Sequence, residues 1–89
     1  MSSRKNKNYR IDLGDRIKWA RIQKVKSDAF MTKKLRFKGT ANYEEMEKGN
    51  SLTLENIIRI CNVLKINYLW LITGDDKYQW DNYIDLPFI

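Results

Sequence analysis

Lysine and arginine side chains are concentrated in one part of this chain, and their chemistry is the easiest to assign. Residues 16–38 contain nine of them against a single acid, Asp28, whereas residues 51–89 contain three bases against five acids. The net charge of +6 therefore comes from the N-terminal half. Clustered ammonium and guanidinium groups bind phosphates, so this segregation favours a polyanionic partner over an ordinary solvated surface.

The sequence contains no residue combination that is typical of catalysis or metal binding. It has no His and a single Cys, Cys61, which rules out an internal disulfide. Glu44, Glu45 and Glu47 have no neighbouring nucleophile or metal ligand, which is typical of a surface cluster. We therefore expect a protein that is not an enzyme, with no catalytic residues, no metal site and no cofactor.

Length and hydropathy indicate one small domain. The chain has 89 residues, of which 43% are hydrophobic, enough for a globular core. No apolar run approaches the roughly 20 residues that cross a bilayer, so we expect no membrane association. The basic N-terminus has no apolar segment after it and does not resemble a secretory signal. These features predict a cytoplasmic protein.

Apolar spacing and capping residues predict an all-α fold with five helices. Two of these helices, joined by a short turn containing Gly39, form a helix-turn-helix pattern. From these residues alone, an ordinary helical hairpin is an equal alternative. The predicted ranges are 12–25, 27 or 28–35 with Ser27 as cap, 40–48, 54–64 with Thr53 as cap, and 68–73 with Asn67 as cap and Gly74 at its end.

Two terminal segments differ in composition from the predicted domain, residues 11–74. Residues 1–10 are polar and basic and are interpreted as a flexible arm. Residues 75–89 form a tail that is too rich in aromatic and aliphatic residues to be left idle. The tail folds back onto helices 1 and 5, pairs with a second copy, or is the first part of a linker to another segment. We favour the second copy, and hence a homodimer, because so small a domain has little surface to cover these side chains.

The order of short motifs over residues 12–74 resembles the lambda-repressor-like helix-turn-helix family, also called the Cro or xenobiotic-response-element type. The E-x-G pattern at the end of helix 3 and the W-L-I-T-G pattern at helix 5 are the most specific parts of the likeness. The segments that carry it are Leu13–Ile17, Arg21–Ile22, Ser27–Leu35, Met46–Gly49, Thr53–Leu64 and Asn67–Gly74.

This resemblance implies a five-helix DNA-binding domain in which helix 3 enters the major groove and helix 2 crosses the phosphate backbone. It implies a transcription regulator of phage or bacterial type, such as a repressor, that binds double-stranded DNA as a homodimer. A salt bridge between Arg21 and Glu47 is implied to fix helix 3, and the Tyr43 ring is expected to be partly buried. The implied base contacts are Thr40, Ala41 and Glu45, and the implied backbone contacts are Ser27, Lys33, Lys34, Arg36, Lys38 and Asn42.

Several positions depart from the family pattern. Asp28 replaces the usual Gln at the start of helix 2, Arg36 replaces the usual Gly of the turn, and the turn is one residue longer. Glu44 and Glu45 add acids to helix 3. These departures favour an alternative: a protein-interaction or antitoxin module with the same fold, which binds its partner through residues 75–89.

Overall fold

Five α-helices make up the regular structure of residues 9–85, the part of the chain that the computed structural model describes. No strand occurs among these residues, so the predicted all-α class is confirmed. The first eight residues of the predicted arm and the last four of the predicted tail lie outside the described part. The helices are α1 (Tyr9–Gln23), α2 (Asp28–Lys34), α3 (Thr40–Glu47), α4 (Leu54–Leu64) and α5 (Tyr68–Thr73).

The bounds of α1 differ from the predicted 12–25 at both ends. The helix begins at Tyr9, so it includes the last two residues of the predicted arm. It ends at Gln23 because Val25 has a left-handed backbone, with φ at 57°. The Val25 N–H then donates to the Ile22 carbonyl at 2.9 Å, and the Lys26 N–H donates to the Arg21 carbonyl at 3.1 Å. These two bonds satisfy carbonyls that the helix leaves free and close its last turn.

Three N-caps are formed by the side chains predicted for that role. Ser27 Oγ accepts from the Phe30 N–H at 3.0 Å, and Thr53 Oγ1 accepts from the Asn56 N–H at 3.1 Å. Asn67 Oδ1 accepts from two N–H groups in the first turn of α5, at 2.8 and 3.2 Å. A capping oxygen satisfies an amide that has no partner within the helix, and each is typically worth about 1 kcal/mol.

All five helices contribute to one apolar core. Tyr43 is its largest fully buried side chain, whereas the sequence predicted a ring that is only partly buried. Its hydroxyl makes no hydrogen bond among the described residues, and burial is the main cause that raises its pKa. The other core residues are Leu13, Ile17, Ala20, Met31, Leu35, Met46, Ile57, Ile60, Cys61, Leu64, Ile66, Trp70 and Leu71.

Helix α1 holds both α3 and α5 in place. At Gly14 the two backbones approach so closely that an added Cβ would lie 2.5 Å from the Glu47 carbonyl oxygen, which only glycine permits. Two residues further along, the Arg16 guanidinium donates to the Leu71 and Ile72 carbonyls at 2.7 and 3.2 Å. These carbonyls lie at the negative end of α5, where a cation is favourable.

The described part of the tail folds back on the domain, which is the less favoured of the arrangements predicted for it. The Trp80 ring packs on Trp19 of α1 and Trp70 of α5, with centroids 4.9 and 6.2 Å away. The Trp80 carbonyl accepts from the Asn67 N–H at 2.8 Å. Further along, the Tyr83 hydroxyl donates to Asn62 Oδ1 of α4 at 2.6 Å. Residues 75–85 therefore cover the ends of α1, α4 and α5 within one chain.

No helix among residues 9–85 combines the length and the apolar character that crossing a membrane requires.

Candidate nucleic-acid interface

The turn between α2 and α3 is built around a left-handed arginine. Residues 35–39 separate the two helices, and Arg36 has φ at 64°. This geometry lets the Arg36 N–H donate to the Lys33 carbonyl at 3.1 Å and the Phe37 N–H donate to the Thr32 carbonyl at 3.0 Å. The position is one that favours glycine. It is also the position at which the sequence departs from the usual glycine of the family pattern.

The expected ion pair between Arg21 and Glu47 is present and ties α1 to the end of α3. Arg21 Nε lies 2.6 Å from Glu47 Oε2, with a second contact from Nη2 to Oε1 at 3.4 Å. Both side chains are largely buried, and the hydrogen bond to Glu47 raises the pKa of Arg21. Arg21 Nη1 also donates to the Lys26 carbonyl at 2.9 Å. One guanidinium thus fixes the start of α2 and the end of α3 relative to each other.

The residues predicted to contact bases lie on the outer side of α3. Thr40 is partly exposed, and Ala41 is exposed. The Glu45 carboxylate is bound within its own chain: Oε1 accepts from Asn50 Nδ2 at 2.7 Å, and Oε2 lies 3.4 Å from Lys48 Nζ. The Asn50 hydrogen bond, followed by the charge of Lys48, lowers the pKa of Glu45. A base edge would have to compete with these two partners for the carboxylate.

Three of the six residues predicted to contact the DNA backbone, Lys33, Lys34 and Arg36, line one groove. All six are exposed at the surface of the described chain. Ser27 Oγ is already an acceptor in the N-cap of α2, so it keeps only its O–H to offer to a phosphate. The aromatic ring of Phe30 lies in a groove of about 420 Å³ whose other lining residues are Lys33, Lys34 and Arg36.

Three arginines that the sequence does not distinguish from the predicted DNA-contacting basic residues bind other groups of this chain instead. Arg16 and Arg21 are used as described above, and Arg59 Nη2 donates to the Leu35 carbonyl at the end of α2, at 2.6 Å. The basic residues of the segment 16–38 other than Arg16 and Arg21 are Lys18, Lys24, Lys26, Lys33, Lys34, Arg36 and Lys38.

A pair of carboxylates lies between α2 and α3. Asp28 and Glu44 line a cleft of about 550 Å³ together with Ile11, Asp15, Lys18, Arg21, Glu47 and Lys48. The pKa of Glu44 is raised, first by a hydrogen bond with the Asp28 side chain and then by partial desolvation and the Asp28 charge. Because the ionised form of Glu44 is disfavoured in the folded state, stability falls as pH rises through the raised pKa.

Phe30 lines the groove with Lys33, Lys34 and Arg36, and Lys26 lies near its ring. Neither Lys26 nor Phe30 was predicted to contact DNA. Lys26 Nζ lies 4.7 Å from the centroid of the Phe30 ring, and Lys34 Nζ lies 5.7 Å from the same centroid. The sequence carries a signal for this arrangement, since the lysines stand four residues before and four residues after the phenylalanine. Within α2 that spacing places Phe30 and Lys34 on one side of the helix, whereas Lys26 lies in the turn before it.

Neither metal chemistry nor a known family is indicated for the described residues. Residues 9–85 contain no group of three or more Cys, Asp or Glu side chains that could hold a metal ion. Burial raises the pKa of the Cys61 thiol to about 12, so it is an inert core residue. Comparison with known protein families, curated protein sequences and solved structures gives no match for this chain.

Proposed function

We propose that this protein is a sequence-specific regulator that binds double-stranded DNA, with α3 in the major groove. Its five helices would then form a lambda-repressor-like helix-turn-helix domain, as the sequence motifs imply. A cytoplasmic repressor of phage or bacterial type, acting as a homodimer on a two-fold operator, is the most specific form of this proposal.

The observation that carries the proposal is the way α3 is presented. Its inner side is fixed by the Arg21–Glu47 pair and by the close backbone approach at Gly14. Its outer side presents Thr40 and Ala41 at the surface of the described chain. A rigid helix with small exposed residues suits insertion into a groove, where Thr can bond a base edge and Ala can pack on a thymine methyl group.

Selection of bound duplexes from a random library tests this proposal. We expect a palindromic sequence, with half-sites separated by about one helical turn if two copies bind side by side. Thr40→Ala should relax the preference at one position in each half-site, while Thr53→Ser, which keeps a capping hydroxyl in α4, should leave it unchanged. Recovery of unrelated sequences after repeated rounds would contradict sequence-specific binding.

The Asp28–Glu44 pair favours a second candidate, a protein-interaction or antitoxin module. Two neighbouring carboxylates at the junction of α2 and α3 repel phosphates and attract basic side chains. In this case a protein partner would be retained by the chain in the absence of DNA, with residues 75–89 as the predicted contact. A crosslinking experiment that recovers only contacts between copies of this chain would contradict the second candidate.

A further inference from the structure

The outer side of α2 carries a compact group of positive charges around one aromatic ring. We call Lys26, Phe30, Lys33, Lys34 and Arg36 the outer patch. Phe30, Lys33, Lys34 and Arg36 line the groove of about 420 Å³ described above. Lys26 reaches the same ring from the turn before the helix, with its Nζ 4.7 Å from the centroid. No carboxylate lines this groove.

The outer patch faces away from α3. An α-helix turns by about 100° per residue, so Phe30 and Lys33 lie roughly 200° and 140° around α2 from Asp28. Asp28 lines the cleft that contains Glu44 of α3, whereas Phe30 and Lys33 line the separate groove. Helix α2 therefore has an acidic side beside α3 and a basic side on its far surface.

The Phe30 ring holds two ammonium groups in place before any partner binds. A lysine side chain normally loses much rotational freedom when its ammonium binds a phosphate. Attraction to the ring face restricts Lys26 and Lys34 in advance, which reduces that loss. Phe30 itself is partly buried and packs against the core, so its position is fixed by the fold.

We infer that the outer patch is a sequence-independent binding surface for the phosphate backbone of duplex DNA, and that it works without insertion of α3. This inference rests on the proposed DNA partner and adds Lys26 and Phe30 to the contact residues. Phosphate contacts supply nearly all the affinity for non-specific DNA, and they occur where positive charge is concentrated. Electrostatics favour the outer patch, because its groove is lined by three cations and no carboxylate. In the cleft beside α3, four carboxylates offset the charges of Lys18, Arg21 and Lys48.

Duplex DNA fits the outer patch better than an anionic membrane does. Surface binding to a bilayer requires apolar side chains that project beyond the basic ones. The apolar residue of the outer patch, Phe30, is partly buried and has ammonium groups near its ring. A group of cations gathered around a partly buried ring matches the phosphate charges of a nucleic-acid backbone.

Titration of the full chain on a labelled mixed-sequence duplex, between about 50 and 200 mM salt, tests the inference. Lys26→Ala and Lys34→Ala should each reduce the salt slope of the binding constant by about 0.9. Lys77→Ala is the matched control: Lys77 Nζ also lies over an aromatic ring, 5.2 Å from the Tyr78 centroid, but in the acidic C-terminal half. This control should leave the slope unchanged.

A variant that keeps every charge tests whether the ordering of the lysines by Phe30 contributes to DNA binding in addition to the net charge. Phe30→Leu should weaken binding to the mixed-sequence duplex about two- to fivefold with all charges kept. Phe37→Leu is its control, because Phe37 also packs against the core but no lysine lies over its ring among the contacts of the described chain. Circular dichroism of each variant checks that the helices remain.

The outcomes distinguish the inference from the proposed function. The inference is overturned if Lys26→Ala and Lys34→Ala change the slope no more than Lys77→Ala does, or if phosphatidylserine vesicles compete with the duplex for the wild type. If library selection yields a sequence and Thr40→Ala abolishes its preference while the outer-patch variants bind normally, only the inference fails. If selection yields no sequence but the outer-patch variants behave as expected, only the sequence-specific function fails.

Discussion

Val25 gives the most direct test of how the helix ends of this protein are built. Its backbone is left-handed, with φ at 57°, and its side chain is 88% exposed. In this conformation the Cβ crowds the following carbonyl, at a cost of about 1–2 kcal/mol, and β-branched residues are rare there. Because the side chain is so exposed, replacing it removes almost no packing.

We expect Val25→Gly to stabilise the protein by roughly 1 kcal/mol. Glycine adopts this conformation without the crowding, but its greater freedom in the unfolded chain offsets about 0.4–1 kcal/mol of the gain. The bonds from the Val25 and Lys26 N–H groups to Ile22 and Arg21 do not involve the side chain and are kept. In a domain of this size, 1 kcal/mol corresponds to a rise in Tm of about 4–8 °C.

Urea denaturation of Val25→Gly, Val25→Asn and Val25→Ala measures the effect. Asn tolerates the left-handed region better than other residues with a Cβ, so its stability should lie between Gly and the wild type. Val25→Ala keeps a Cβ and should gain much less than Val25→Gly. The reasoning would be refuted if Gly were no more stable than Val, or if Ala gained as much as Gly.

Two further changes test contacts of α3 and α2. Gly14→Ala should destabilise by about 1–3 kcal/mol in urea denaturation, because its Cβ meets the Glu47 carbonyl at 2.5 Å, while Gly39→Ala, with nothing within 4 Å, should be nearly neutral. A loss from Gly14→Ala no larger than that from Gly39→Ala would contradict the close approach. The raised pKa of Glu44 makes stability fall as pH rises, and Asp28→Asn should make this fall smaller. Asp76→Asn, which makes the same charge change in an exposed turn, should leave the fall unchanged. Identical pH profiles for the two variants would show that Asp28 is not the cause.

The sequence predicts where helices start better than where they stop. Ser27, Thr53 and Asn67 carry side-chain oxygens that cap a helix directly, and all three do so in the structure. Helices commonly end at a residue with a left-handed backbone, and that residue is usually glycine. In α1 and α2 that residue is Val25 or Arg36, whose side chains carry no such signal.

The path of the tail also depends on tertiary contacts. So does the question of which basic residues are bound within the chain. Composition indicates that the aromatic residues of the tail must be covered, but it does not state by what. The structure places Trp80 against α1 and α5 of the same chain, in a space that Trp19 and Trp70 leave between them. In the same way, Arg16 resembles any other base of the segment 16–38 until α5 brings its C-terminal carbonyls within 2.7 Å.

The pairing of Arg21 could be predicted from a single signal. A resemblance to a known motif order implied its pairing with Glu47, and the pair is present at 2.6 Å. The Lys48 contact of Glu45 follows from i, i+3 spacing. The hydrogen bond from Asn50 to Glu45 had no such signal, since it requires the chain to turn back after α3. Contacts within one helix follow from spacing, whereas contacts made by the following loop do not.

Because the tryptophans cluster, tryptophan fluorescence reports on one region of this protein. All three tryptophans of the chain, Trp19, Trp70 and Trp80, lie at one junction, with centroids 4.9–6.2 Å apart. Intrinsic emission at tryptophan wavelengths therefore observes the contact of α1, α5 and the tail, and neither α2 nor α3 contains a reporter. A ligand that settles on α2 or α3 would leave the spectrum unchanged unless it also moved the tail. Emission and helix circular dichroism would then melt together only if the whole domain unfolds as one unit.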